Sequence, residues 1–512
     1  MSRLYIMDFG VPVKRPGEGE RDTSSVSRSA DSFSSRRSLC WGEGLTGRQK
    51  TFIIFPVYFL RVYCGTRGRK ECELPMKKGN PIALLPIGVF LVLYLGLGIL
   101  FEYGMGISMG FYNIPIVVAF LVAILVACLQ NRKINLTDKI ALMGQGVGDP
   151  NIVTMIFIFM AAGIFVGVVG RSSAESVAYF MLSIIPPKFA VAVLFVVACF
   201  VSTAMGTSVG TITLITPIAV AVASASGFSL PLCVGAVMGG AMFGDNLSFI
   251  SDTTIAACNG QGCNMKDKFR ENFWIALPAA IVTLVLTLVV SLSNYTGAYE
   301  PGTYNLIQII PYVLVLIGGI VGINVFVVLL VGIVSGSIIM LATGGVESFY
   351  ALLGNMGGGA AGMFETTMVA ILVAAMSALI REHGGFDALL YGIQRVFKGK
   401  KNGQLGMGIL VGLMDIATAN NTVAIVMANP IAKEMAENYG VTNKKTASLL
   451  DTFSCVFQGI IPYGAQMLVA LSTCATLEHS ISAFQVIPFL FYPFLLLVSS
   501  LVFIYIIPER KK

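Results

Sequence analysis

The chain has 512 residues, 55% of them hydrophobic and 12% charged, with a mean hydropathy of +0.80. Soluble domains carry about 25% charged residues, so this composition excludes a soluble fold able to cover its own surface. The formal charge of +7 is concentrated at one end: residues 1–75 hold 13 Lys/Arg against 8 Asp/Glu, the remainder 21 against 19, which leaves no nucleic-acid footprint.

Residues 1–75 are rich in Ser, Arg and Gly, and their one apolar run, near 52–60, is far short of the roughly 20 residues a membrane helix needs. A transit peptide fits poorly, because such peptides are poor in acidic residues. Met76, followed by Lys77, Lys78 and a long apolar run from Pro81, reads as the start of a bacterial membrane protein with its lysines held in the cytoplasm. The expectation is that 1–75 is upstream sequence, or disordered.

From Pro81 onward fourteen apolar segments follow, near 82–102, 111–130, 151–170, 189–206, 207–224, 231–250, 272–293, 305–323, 325–343, 366–380, 404–419, 420–437, 447–470 and 485–507. Several are short and broken by Gly, Pro or Asn, as half-helices or re-entrant hairpins are. The ten cysteines lack metal-ligand or paired spacing, and Cys128, Cys199 and Cys233 read as small apolar residues. His383 and His479 are too few and too isolated for a metal site. No cofactor is expected.

Three polar interruptions carry the chemistry. The first is Gly206-Thr207-Ser208, between short apolar segments. The second is the string Gly244-Asp245-Asn246-Leu247-Ser248-Phe249-Ile250-Ser251-Asp252-Thr253-Thr254. On a continuous helix Asp245, Ser248 and Asp252 would share one face. Two carboxylates among amides and hydroxyls suit a small hard cation such as Na+, with Asp245 and Asp252 as its ligands. A buried carboxylate can hold a proton or a cation, and competition between them is a ready exchange mechanism. Helix capping accounts for one of these residues but not for the whole string. The third interruption is Ala419-Asn420-Asn421, followed by Thr422. Small polar residues that break a membrane helix free backbone carbonyls and half-helix ends to coordinate solutes. Helix packing through small residues would explain Gly206 and Ala419, but not paired asparagines in hydrocarbon. Asp415, one turn before Ala419, is a candidate proton carrier. Gln458 and the run Gly459 to Gly464 interrupt a late segment, whereas Glu365 and Asp451 read as solvated residues near segment ends. The Gly-rich stretch 356–362 lacks the Lys and preceding strand of a phosphate loop.

The halves repeat. A shift of 213 residues carries Thr154–Ala162 onto Thr367–Ala375 with five of nine identities, and places Asp245 on Gln458. It also carries Met143, Gly144 and Gly146 onto Met356, Gly357 and Gly359, and Pro217 and Gly227 onto Pro430 and Gly440. Loop charges oppose one another across that shift. Loop 131–139 has Arg132, Lys133 and Lys139 while 344–354 has no basic residue; loop 258–271 has Lys266, Lys268 and Arg270 while 471–484 has none. The bias reverses for 381–401 against 171–188 and for 438–446 against 225–230. By the positive-inside rule matching loops lie on opposite sides, as an odd number of segments per half also requires. The expected fold is therefore an all-α polytopic membrane protein of two inverted-topology repeats, 76–294 and 295–512, with broken or re-entrant helices.

The string from Gly244 to Thr254 resembles that of the NhaC-type Na+/H+ antiporters of the ion-transporter superfamily, and the resemblance spans roughly 80–510. Asn420-Asn421-Thr422 is similar, over a short stretch, to the Ser-Asn-Thr signature of sodium-coupled dicarboxylate carriers. Many family members have Lys and Pro where this chain has Asn246 and Phe249, so a fixed positive charge beside the aspartates is expected to be missing. The resemblance implies Na+/H+ exchange by alternating access. Asp245, Asn246, Ser248, Ser251, Asp252 and Thr253 would bind the ion, with Thr207, Ser208, Asn420, Asn421 and Thr422. The rival reading couples Na+ or H+ to a small organic anion or amino acid, since relatives are associated with malate/lactate exchange and amino-acid movement. Nothing resembles a catalytic Ser/His/Asp set or zinc-spaced ligands, so no enzyme is expected. The expected setting is the cell (inner) membrane, with both ends of the membrane body cytoplasmic. The partners are lipid and the transported solute, with a homodimer left open.

Overall fold

The computed structural model describes residues 78–106, 114–295 and 302–507; the expectation for 1–75 lies outside them. Among the described residues the regular structure is helical, without a strand. In the first half the helices are α1 (Pro81–Ile99), α2 (Ile116–Gln130), α3 (Leu136–Val147), α4 (Pro150–Ile184), α5 (Ala190–Met205), α6 (Ser208–Ser226), α7 (Leu230–Leu247), α8 (Asp252–Gln261) and α9 (Met265–Asn294). In the second they are α10 (Leu306–Ile320), α11 (Val325–Ala342), α12 (Phe349–Gly362), α13 (Phe364–Glu382), α14 (Gly385–Val396), α15 (Lys400–Thr418), α16 (Asn421–Tyr439), α17 (Asn443–Ile460), α18 (Ala465–Thr476), α19 (Ala483–Val486) and α20 (Phe491–Tyr505).

The repeat is written in these boundaries. Shifting α6 and α7 by 213 residues reproduces the bounds of α16 and α17. Their caps match too. Thr207 caps α6 through its side chain and Asn420 caps α16 in the same way. The left-handed residues that end the preceding helices are Gly206 (φ 68°) and Ala419 (φ 46°). Packing crosses between the halves: α4 lies on α12 as α13 lies on α3, and α8 lies on α16 as α18 lies on α6. A pseudo-two-fold axis produces such exchanged pairs.

Two features place the site. First, α5 and α6 form a hairpin. Ala198 and Cys199 lie against Gly240, and Ser202 against Gly244, so α5 runs beside α7 in the same direction. The short connection 227–229 makes α6 antiparallel to α7, and hence to α5. The hairpin tip at Gly206 meets the break between α7 and α8: a Cβ on Gly206 would come 2.7 Å from the Ile250 side chain and 3.0 Å from the Ser251 nitrogen. Since α7 and α8 together make one span, Leu230–Gln261, a hairpin that stops beside their break enters and leaves on one face. Gly408 against Phe453 and Gly412 against Phe457 set the α15–α16 hairpin beside α17 in the same way. Some of the fourteen expected segments are thus hairpin arms. α5 and α6 are each long and apolar enough to cross, but their hairpin geometry leaves, among the described residues, α1, α2, α4 up to its kink at Gly170, α7–α8 and α9 as crossings, matched by α10, α11, α13, α17–α18 and α20. Their number per half is odd, and the repeats have inverted topology.

Second, the helices bury small and branched residues against one another and turn large apolar ones outward. Leu125, Leu129, Phe200, Val289, Val334 and Ile338 are all more than half exposed, the lipid-facing surface such a composition demands. The loop charges shift in one respect. Lys139, Lys268 and Lys445, read from the sequence as loop residues, lie in helices and are 5%, 1% and 3% exposed, and Lys445 pairs with Glu271 at 3.3 Å.

Candidate functional site

The polar string is not one helix. α7 ends at Leu247 and α8 starts at Asp252, so the shared face expected of Asp245, Ser248 and Asp252 does not exist. The break instead folds Ser251 back onto Asp245: its hydroxyl donates to Asp245 Oδ1 at 2.5 Å, and lies 2.7 Å from the Thr253 hydroxyl. Ser208, the first residue of α6 after the hairpin tip, donates to Asp245 Oδ2 at 2.7 Å. Gln466 of α18 donates to the Ser208 hydroxyl at 2.7 Å, which links the second half to the carboxylate. Asp245 is 5% exposed. Two hydroxyl donors satisfy part of its acceptor capacity and leave lone pairs free.

These groups open onto a cavity of about 290 Å³ between the two hairpin tips. The first half contributes Thr207, Ser208, Asp245, Ser251, Asp252 and Thr253 to its wall, the second Asn420, Asn421, Thr422, Gln458 and Ala465. Asn151, Thr154 and Met155 from the start of α4 also line it, with Asn324. Gln458, the repeat counterpart of Asp245, donates its amide to the Ala419 carbonyl at 3.0 Å. The donor set is carboxylate, hydroxyl and amide oxygen, which suits a small hard cation.

Three of the expected site residues lie elsewhere. Asn246 faces away from the cavity; its side-chain oxygen and its carbonyl accept from Asn272 of α9 at 2.6 and 2.8 Å. Helix rotation decides this, since Asn246 follows Asp245 by one position and so points about 100° away from it. Ser248 caps the end of α7, its hydroxyl accepting from the Ile250 nitrogen at 3.3 Å. Asp415 is fully buried in α15 off the cavity wall, and neither carboxyl oxygen has a hydrogen-bond partner among the described residues.

Asp451 corrects another expectation. It is 1% exposed, not solvated, and is paired with Lys268. A buried lysine from α9 therefore sits behind the break, neutralised by Asp451 and off the cavity wall that holds Asp245 and Asp252. Lys268 Nζ donates to the Asn246 carbonyl at 3.0 Å and to Thr254 Oγ1 at 2.8 Å. Sequence reasoning missed Lys268, Asn272 and Gln466. The available signal was spacing: Lys268 and Asn272 are four apart, on one face of a helix whose continuation is apolar.

The sequence profile described as "Na+/H+ antiporter family" matches residues 116–292 and 303–507. The Na(+)/H(+) antiporter NhaC of Alkalihalophilus pseudofirmus is 23% identical over 425 residues, covering 77% of this chain and 90% of that one. The Malate-2H(+)/Na(+)-lactate antiporter of Bacillus subtilis is 21% identical over 456 residues, covering 82% and 93%. Among solved structures, the YdaH transporter of Alcanivorax borkumensis aligns over 83% of this chain and 98% of its own at 12% identity, with a TM-score of 0.38. The chain belongs to the Na+/H+ antiporter family.

Proposed function

We propose that this protein exchanges Na+ for protons across the cell membrane by alternating access, with Asp245 as the carboxylate that takes either ion. The observation that carries the reading is the Asp245 cradle. A buried carboxylate with a hydroxyl on each oxygen sits where a hairpin tip meets a broken span, on a cavity built by both repeats. An ionised carboxylate is costly to move through hydrocarbon unless it is neutralised. Na+ or a proton neutralises Asp245 equally well in charge, and the two exclude each other. The carrier then crosses only when loaded, which is what coupling requires.

Asp252, exposed at the first turn of α8, lies on the cavity wall where it attracts cations to the cradle. Thr207, Ser251, Thr253 and Asn420 to Thr422 supply neutral oxygens. Asp415 is proposed as a second proton carrier: its carboxyl is fully buried and has no partner among the described residues that would compete with a proton. The loop charges favour a cytoplasmic position for both ends of the membrane body. The test is purified protein in liposomes, with a pH gradient imposed and Na+ flux recorded. Na+ uptake that follows the gradient, together with Na+-induced proton movement, is expected. Its absence in active, correctly inserted protein sinks the proposal.

A second reading rests on the cavity's size. At about 290 Å³ it is far larger than a bare ion needs, and Asn420 and Asn421 could hydrogen-bond an organic anion. A relative covered at 93% of its length is named a malate/lactate antiporter. Stimulation of Na+ flux by malate, lactate or an amino acid in the same liposomes would favour that reading.

A further inference from the structure

Behind the cavity, outside its lining, lies a buried polar cluster that the exchange scheme above does not use. Lys268 of α9 is 1% exposed, and an ammonium has three N–H donors. Each meets a different acceptor. One goes to the carbonyl of Asn246, in the last turn of α7. One goes to the hydroxyl of Thr254, in the first turn of α8. The third goes to the carboxylate of Asp451, on α17 in the other repeat.

The first two acceptors lie on opposite sides of the break that holds the cradle. Asn246 follows Asp245 directly, and Thr254 follows Thr253, whose hydroxyl meets Ser251. The last carbonyls of α7 have no intrahelical donor, and a cation at a helix C-terminus is favoured by the dipole as well. Asn272, one turn further along α9, reinforces the same junction. It donates to Asn246 and accepts from Ser448 and Thr452 of α17 at 2.5 and 2.8 Å.

We propose that Lys268 is a positioning residue for cation binding. It staples the two ends of the broken span so that Asp245 and Ser251 are held together toward the cavity. Through Asp451 it ties that geometry to the second repeat. The inference rests on the reading of Asp245 as the cation carboxylate. A structural ion pair alone would need Asp451 and Lys268 only; contact with both flanks of the break is what makes the lysine a determinant of affinity.

The test compares wild type with Lys268→Gln, Asp451→Asn, the double variant and Thr254→Val, all in the full chain reconstituted in liposomes. Each single charge deletion strands a buried charge and is expected to lower thermal stability, whereas removing both charges together spares the fold. The double variant is expected to insert and exchange, with its apparent KM for Na+ raised about ten- to a hundredfold, as for loss of a supporting contact around a metal site. Its maximal rate should change far less. Thr254→Val keeps the ion pair and removes one flank of the staple, so it should raise KM in the same direction by several fold. Wild-type KM in the double variant overturns the proposal, and if that variant does not fold, wild-type KM in Thr254→Val overturns it. A wild-type protein without Na+-coupled proton movement would fail the exchange reading instead, so the two failures are separable.

Discussion

Asp245 and Gln458 occupy equivalent positions in the two repeats and both line the same cavity, yet one is a carboxylate held by two serines and the other an amide bonded to the Ala419 carbonyl. The site is symmetric in backbone and asymmetric in charge. Both carboxylates on the cavity wall, Asp245 and Asp252, come from the first repeat, and the second contributes amides and hydroxyls.

The first expectation concerns the two aspartates of the break. Asp245→Asn is nearly isosteric and should insert normally, but it removes the only ionisable group in the cradle. Na+ flux should fall by more than about a hundredfold, beyond the range seen for supporting residues. Asp252→Asn, at an exposed position on the wall, should raise the apparent KM with a smaller effect on maximal rate. Flux measurements over a range of Na+ concentrations separate the two, and wild-type flux in Asp245→Asn would remove the site assignment.

Proton competition sets the pH dependence. If Asp245 takes either ion, protonation blocks Na+ and never assists its binding. Apparent KM for Na+ should therefore rise as pH falls, approaching about tenfold per pH unit once the carboxyl is mostly protonated. Maximal rate at saturating Na+ should be less sensitive. A KM that stays constant through the whole acid range would show that protons bind elsewhere.

The hairpin tips should respond unequally to the same side chain. Gly206→Ala adds a Cβ against Ile250 and the Ser251 nitrogen in a left-handed conformation. Such a conformation costs about 1–2 kcal/mol for a non-glycine residue, and the steric clash adds to it. Loss of both thermal stability and transport is expected. Ala419→Gly relieves a positive φ of 46° and should be tolerated in stability within about 1 kcal/mol. Melting curves of the two purified variants decide the matter; equal behaviour would mean that the tip contacts are unimportant.

Sidedness tests the inverted repeat. Single cysteines in loops 131–139 and 381–401, placed in a cysteine-free background, should be protected from an impermeant thiol reagent on intact cells. Those at the exposed positions of 344–354 and of 171–188, most of which lies within α4, should react. Labelling of 131–139 and 344–354 from the same side would mean a parallel duplication.

The architecture was legible because its causes are local. Gly206 and Ala419 break their helices through backbone conformation, Thr207 and Asn420 cap the ones that follow, and Pro217 and Pro430 recur in step. A 213-residue periodicity in such residues survives even when the surrounding apolar positions drift. The reading of 244–254 as a single helical face went wrong because nothing within the string dictates a break after Leu247. The tip of another hairpin fills the gap and makes the break stable.

Sequence by itself determined that the chain spans a membrane, that it is built twice, and that Asp245, Ser208 and Asn420 belong to the polar interruptions of that plan. These follow from hydropathy, helix-breaking residues and spacing along the chain. Only the tertiary structure decided which polar groups face the cavity and which are buried behind it. Asn246 points away, Asp415 is isolated, and Lys268, counted from sequence as a loop charge, reaches inward to Asp451, 183 residues away. A buried charge must find its partner wherever packing brings one within reach, and that partner carries no mark in the local sequence.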